Sequence, residues 1–213
     1  IQRYGERITA VRTVNRGQGS AYNPGFNRSR GDWVLFLDSD DMLHPNTVER
    51  CLAAARDDTS IVEFRLRLID ANGKPLGAET PYTMHSGDVT PIIRRFGTYA
   101  GPPSCGNFYR RSAIAPYFPV PAERWRGSVD TVPFIAGAFH GRIVALPEAL
   151  ASYRLHRASS ARMGLMGNMS KTMTEELLMQ QSRQREVLAL LRERSGIDIR
   201  GPFLPLPWNV RAR

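Results

Sequence analysis

Hydrophobic and polar positions along the 213-residue chain alternate in short apolar runs separated by turn-forming clusters. Arg7 to Val14 (RITAVRTV) reads as a short strand, and the Gly-, Asn- and Ser-rich stretch after it holds a short helix from Ser20 to about Ser29. Trp33 to Leu37 is a continuous apolar run, the pattern of a strand covered on both faces. Leu43 to Asp58 reads as a helix, with Pro45 near its first turn and Val48, Leu52 and Ala55 on one face. Ser60 to Asp70 alternates as a strand, and Asn72-Gly73 turns it into a hairpin. Asp88 to Phe96 predicts a short helix, Ser104 to Arg111 a strand entering a turn, and Val129 to Gly141 a helix with Pro133 in its first turn. Arg142 to Leu146 and Ala149 to His156 read as two more strands. The last periodic segment, Ser170 to about Glu193, is an amphipathic helix bearing Met173, Leu177, Leu178, Val187, Leu188 and Leu191. A proline-rich tail, Gly201 to Trp208, follows it. Strands and helices that alternate and then mix predict an α/β layered domain over residues 1–165, with a C-terminal helix and tail over 166–213.

One feature breaks the hydrophobic pattern. The run Trp33 to Leu37 passes directly into Asp38-Ser39-Asp40-Asp41. In an extended chain Asp38 and Asp40 project to one face. At about 6 Å and an effective dielectric near 20, their charges repel by roughly 3 kcal/mol. A divalent cation between them relieves that repulsion, and hard oxygen ligands suit Mg²⁺ or Mn²⁺. The plainer alternative is that strand-end aspartates cap the next helix, a role open to Asp41.

Composition narrows the classes. No apolar run reaches the length of a membrane-spanning helix, and no signal-peptide pattern opens the chain. A cytoplasmic protein is expected, with association with the inner face of the membrane as an option. Cys51 and Cys105 lack CxxC spacing and, with four His, make no zinc pattern. The net charge of +9 favours anionic partners, namely phosphates, nucleic acid or an anionic membrane surface. No RNP, zinc-finger or helix-turn-helix pattern supports a nucleic-acid-binding module. Arg183, Arg185, Arg192 and Arg194 lie opposite the apolar stripe of the C-terminal helix. That helix can dock on the domain, pair with a second copy as a homodimer, or make a peripheral membrane contact.

Asn15, Gly17, Ala21, Asn23, Gly25 and Gly31, followed by the apolar strand and Asp38, Asp40 and Asp41, carry a specific resemblance. The segment is similar to the inverting family 2 glycosyltransferases of the GT-A fold. Ser104 to Ile114 resembles that family's small-residue strand leading into an Arg-bearing turn. Gly127 to Ser160 resembles its Glu-Asp segment, with Asp130 in the Asp position, followed by Tyr153, Arg154, His156 and Ser159. The resemblance covers roughly Arg7 to Arg162 and implies a GT-A-like (Rossmann-like) mixed sheet flanked by helices. It also implies a nucleotide-diphosphate sugar donor, a UDP-sugar by preference, and a saccharide or lipid-linked acceptor. Asp130 is then the candidate catalytic base. Asp40 is a direct ligand of Mn²⁺ or Mg²⁺, and Asp38 faces the ribose or reaches the metal through water. Asn23 and Arg154 belong to the donor-binding set, and His156 either completes the metal shell or joins Arg154 at the diphosphate. Arg154 and His156 share one face of their strand. Trp125 is either a platform for a sugar ring or a partly buried loop residue.

The departures from the family are specific. Tyr22 stands where the family commonly has Arg, with Arg28 or Arg30 as substitutes, and Val129 stands where it has Glu. The family's opening strands are not matched, so the segment reads as an N-terminally incomplete catalytic domain that binds donor weakly or not at all on its own. A non-catalytic scaffold of the same fold is the competing reading.

Overall fold

The computed structural model describes residues 2–156, 173–201 and 203–204. Its helices in chain order are α1 (Gln18–Arg28), α2 (Thr47–Ala54), α3 (Thr90–Phe96), α4 (Arg111–Ile114), α5 (Thr131–Gly137) and α6 (Met173–Ser195). Its strands are β1 (Trp33–Leu35), β2 (Met42–Leu43), β3 (Thr59–Ile69), β4 (Pro75–Thr80), β5 (Asn107–Arg110) and β6 (Arg142–Arg154). The sheet runs β1-β5-β3-β6-β2, with β4 pairing the far half of β3. Among the described residues β3 and β6 pair in parallel and the other ladders are antiparallel.

The central strand β3 explains the layering. Its alternation sends Ile61 to one face and Val62, Phe64 and Leu66 to the other, and all four are buried. On the first face Ile61, Tyr109 and Ile143 meet Tyr22 and Phe26 of α1, Val132 and Ile135 of α5, and Val187, Leu188, Leu190 and Leu191 of α6. On the second, Phe108 and Leu150 join the strand with Cys51 of α2 and Cys105, both free thiols.

The C-terminal helix therefore shares the core of the sheet. Each buried aliphatic side chain is worth about 1.5–3 kcal/mol, so four of them outweigh any surface ion pair on the same helix. Ser195 adds a hydrogen bond to the Tyr117 hydroxyl at 2.7 Å. The apolar stripe over residues 187–191 is spent on docking. Residues 205–213 of the proline-rich tail, and Pro202, lie outside the described residues.

Three sequence expectations differ from the structure. Arg7 to Val14 forms no strand: Gln2–Arg7 is a 3-10 turn and the following residues are irregular, with Ile8, Val11 and Val14 exposed. β-propensity makes a strand only where a neighbour accepts its backbone groups. On α2, Val48 and Leu52 face solvent while Thr47 and Cys51 are buried. The Thr47 hydroxyl donates to the Leu150 carbonyl at 2.5 Å, which pins that other face to β6. The two strands expected after α5 are one, because the register jumps from Phe64↔Leu146 to Arg65↔Ala149 and Pro147-Glu148 bulge out. Proline has no N–H for the ladder, so a bulge removes it without ending the strand.

Candidate active site

β1 ends at Leu35, and Asp38 to Asp41 form a tight turn closed by the Asp41 N–H donating to the Asp38 carbonyl at 3.1 Å. Asp38 and Asp40 are thus held by a turn, not by the common face of an extended strand. Asp41 is 7% exposed; its Oδ1 accepts the Arg154 backbone N–H at 2.9 Å, and the Cys105 thiol leans on the same carboxyl. Oδ2 of Asp41 has no hydrogen-bond partner. The residue caps nothing, since α2 starts only at Thr47. Asp40 Oδ2 lies 2.7 Å from His156 Nε2. Burial, then the charges of Asp130, Asp41 and Asp40, push the Asp38 carboxyl up to about 6.

Asp130 brings a further carboxyl within electrostatic range of Asp38. It stands at the start of α5 but makes no capping hydrogen bond to that helix. It keeps some solvent contact, yet protein packs closely around it, and burial raises its carboxyl while its own N–H and that of Thr131 pull it back. The loop before it is fixed by α1. The Gln18 and Gly19 N–H groups donate to the Arg126 and Trp125 carbonyls at 3.0 and 2.8 Å. Gly17, at φ +96°, lets the chains approach so closely that a Cβ would lie 2.5 Å from the Arg126 backbone. Ser128 then takes φ +56°, the one non-glycine residue with positive φ among the described residues, immediately before Val129 turns its side chain into the core.

Trp125 is 1% exposed and lies beneath the Arg183 guanidinium at 4.9 Å. It is therefore a core anchor, which removes the option of an open platform for a sugar ring. Asn23 spends both ends of its amide on Val120, donating to its carbonyl and accepting its N–H, each at 2.8 Å. It clamps α1 to the loop after Phe118. The Arg154 guanidinium donates to the carbonyls of Asp40 (2.8 Å), Asp70 (3.1 Å) and Ala71 (3.0 Å), stapling the carboxylate turn to the β3–β4 hairpin. Ser159, with the rest of its motif from residue 157, lies outside the described residues.

The structure thus brings together Asp38, Asp40, Asp41, Asp130 and His156. Among the described residues no three His, Cys, Asp or Glu side chains converge as a ready metal shell. The donor set nevertheless suits a hard divalent cation, with carboxylate oxygens beside an imidazole. An unpartnered Asp41 oxygen and the mutual repulsion recorded at Asp38 are what such a charge would relieve.

Sequence reasoning missed the aromatic wall of the site. Tyr22 stacks on Phe36 with ring centroids 4.1 Å apart, and its hydroxyl meets Ser104 Oγ at 2.8 Å. Burial and the charges of Asp130 and Asp38 raise that hydroxyl well above its ordinary range. The available signal was Tyr22 and Phe26 at i and i+4 on a helix, which marks an inward face.

Residues 1–118 match the family profile described as Glycosyl transferase family 2. The chain is similar to an uncharacterised glycosyltransferase of Nostoc sp., 34% identical over 158 residues, covering 73% of this chain and 49% of that protein. EpsH of Bacillus subtilis is 27% identical over 159 residues, covering 72% of this chain and 46% of its own. Among solved structures, S. aureus TarS 1-349 in complex with UDP-GlcNAc superposes with a TM-score of 0.58 at 16% identity, covering 91% of this chain and 53% of that one. At that identity the likeness is one of fold, a mixed sheet flanked by helices of GT-A type. This chain spans about half the length of the curated relatives it matches.

Proposed function

Because the chain belongs to glycosyl transferase family 2, we propose that the cleft between Asp38, Asp40 and Asp130 transfers a sugar, with inversion, from a nucleotide-diphosphate donor to a hydroxyl of a saccharide or lipid-linked acceptor. The observation that carries this reading is the position of Asp130. It stands at the start of α5, and its charge acts on the Asp38 carboxyl.

In this reading Asp130 takes the proton of the acceptor hydroxyl. The freed oxygen forms a bond to the anomeric carbon on the face opposite the diphosphate. The bond from that carbon to the phosphate oxygen breaks, and its electron pair leaves with the nucleotide. A base works best with a pKa near the operating pH, and burial moves Asp130 in that direction. Asp40, with His156 and Asp38, would hold Mn²⁺ or Mg²⁺, which supplies positive charge for the departing diphosphate when bound. Arg154 keeps the turn in shape from behind. Tyr22 and Phe36 exclude water from one side, which strengthens every charge interaction within the cleft. The complex of TarS with UDP-GlcNAc supports a UDP-sugar as the donor class. No described helix is long and apolar enough to cross a membrane.

Two substitutions favour a second reading, a scaffold without turnover: Tyr22 where the family has Arg, and Val129 where it has Glu. Calorimetric titration of UDP with and without Mn²⁺, on the native chain and on Asp40→Ala, tests the site. Manganese-dependent heat that disappears in the variant is expected. Asp130→Asn then separates the readings, since an enzyme loses turnover while keeping UDP binding. Absence of UDP binding under both conditions, here and in a longer native polypeptide, would refute the proposal.

A further inference from the structure

A second acidic group lies behind the cleft and takes no part in the chemistry above. Glu63, on β3, is fully buried, and the Tyr99 hydroxyl donates to its Oε1 at 2.6 Å. Its Oε2 has no hydrogen-bond partner. Directly across the β3–β5 ladder stands Asn107. The Asn107 Nδ2 is committed to the carbonyls of Pro103 (2.9 Å), Pro102 and Ser104 (both 3.3 Å), while its Oδ1 also lacks a partner. Side chains paired across such a ladder have Cβ atoms about 4.5–5.5 Å apart, within reach of each other.

An ionised Glu63 sets one orphaned acceptor against another. A protonated Glu63 is a donor, and a single hydrogen bond then satisfies both oxygens. We propose that Glu63 is a positioning residue, a neutral acid whose proton joins its Oε2 to Asn107 Oδ1 and so fixes the Tyr99–Asn107 loop along the wall of the cleft. Glu63 holds both ends of that loop. Between them Gly101 lies so close that a Cβ would be 2.9 Å from both carboxyl oxygens. The loop delivers Ser104 to the Tyr22 hydroxyl and Cys105 to the Asp41 carboxyl. Through these contacts the lock reaches both the aromatic wall and the carboxylate turn.

The surroundings favour the proton over a counter-charge. Burial raises Glu63 to about 8, opposed by the Tyr99 hydrogen bond, and among the described residues no cation acts on it. From β5 it faces Asn107 and, two pairs along on the same face, Tyr109, on which the charges of Asp130 and Glu63 both act. From α5 it faces the Phe134 ring, stacked on Tyr99, and Asp130 lies at the start of the same helix. On β6 its partner is Ala145. Arg65, next on its own face of β3, sends Nη2 to the Tyr82 carbonyl at 3.3 Å.

The effect on transfer rests on the proposed function; the proton and the loop do not. The test uses the full chain and Glu63→Gln, whose amide accepts from Tyr99 and donates to Asn107 as the neutral acid does. In the wild-type-minus-variant difference spectrum, which cancels the Asp38 carboxyl that both proteins keep, the infrared carbonyl stretch of a protonated acid is expected at pH 6, halved near pH 8 and lost by pH 10. Backbone amide exchange over residues 104–107, corrected for its intrinsic pH dependence, is expected to accelerate about tenfold in wild type above pH 8 and to stay level in the variant. No protonated-carboxyl band in that difference spectrum at pH 6, or loop exchange that stays level in wild type, overturns the proposal. Manganese-dependent UDP binding in the same samples reads the cleft separately. If neither protein binds UDP while band and exchange behave as stated, the lock stands and the functional reading fails.

Discussion

Glu63→Gln also makes a thermodynamic prediction that needs no ligand. In the folded chain burial holds the carboxyl at about 8, against 4.5 for an unperturbed Glu. Between those values the native state keeps its proton while the unfolded chain releases it, so stability falls as pH rises through this window. Below it the contribution is fully present. Each unit of separation is worth about 1.36 kcal/mol, so the loss between pH 5 and pH 7.5 is on the order of 3 kcal/mol. That is a large share of a total stability of about 5–15 kcal/mol. The variant has no proton to lose, so it should match wild type near pH 5 and exceed it by about 3 kcal/mol near pH 7.5. Urea unfolding followed by tryptophan fluorescence measures the difference, with Trp125 reporting from the core. Unchanged m-values establish that the native and unfolded states are comparable. A difference that stays flat from pH 5 to pH 8 would mean that the carboxyl ionises at its ordinary value, and the burial argument would be wrong.

Asp38→Asn should stabilise the protein by on the order of 1–2 kcal/mol at pH 7, discounted for its solvent access, while abolishing manganese-dependent UDP binding. The sign follows from a carboxyl raised from 3.8 to about 6, whose contribution is lost as pH rises through that interval; melting curves at pH 4 and pH 7 read it. Gly17→Ala should cost about 2 kcal/mol or more, because a Cβ meets the Arg126 backbone at a φ that favours glycine; the thermal midpoint reports it. Leu191→Ala should cost about 2–5 kcal/mol through the cavity it leaves, with α6 losing amide protection together with the sheet.

The parts of this fold that were legible in the sequence are those whose partners are local. The β3–β4 hairpin followed from alternation plus Asn72-Gly73, and α1 lies at Gln18–Arg28, close to the helix expected from Ser20 to about Ser29. What was illegible depends on distant neighbours. Arg7 to Val14 has strand composition, but composition does not supply a pairing edge. The buried face of α2 was decided by one hydroxyl, that of Thr47, reaching a carbonyl on β6. The site divides in the same way. Asp38, Asp40 and Asp130 stood out as residue types at marked positions, and the fold places their charges in mutual range. That Asn23 clamps Val120 and Arg154 clasps three carbonyls could not be read from spacing, since the partners lie 97 and 114 residues apart. Tyr22 was hidden by a comparison of residue types, which registered a missing cation and overlooked a gained stack.

Two of the perturbed acids, Asp38 and Glu63, differ in what relieves them, and this bears on how the site is built. Asp38 is raised by burial together with three neighbouring carboxylates, so a cation between those groups is the direct remedy. Glu63 is raised by burial alone, with a hydrogen bond already on one oxygen, so a proton on the other is the remedy. A divalent cation at the turn should therefore lower the apparent titration of Asp38 and leave that of Glu63 in place. The two groups are linked mechanically, since the loop that Glu63 holds also carries the Cys105 contact to Asp41. They are separated electrostatically, because Glu63 is absent from the charges that act on Asp38. This arrangement allows a neutral acid to brace the wall without adding a further negative charge to a site that already holds four.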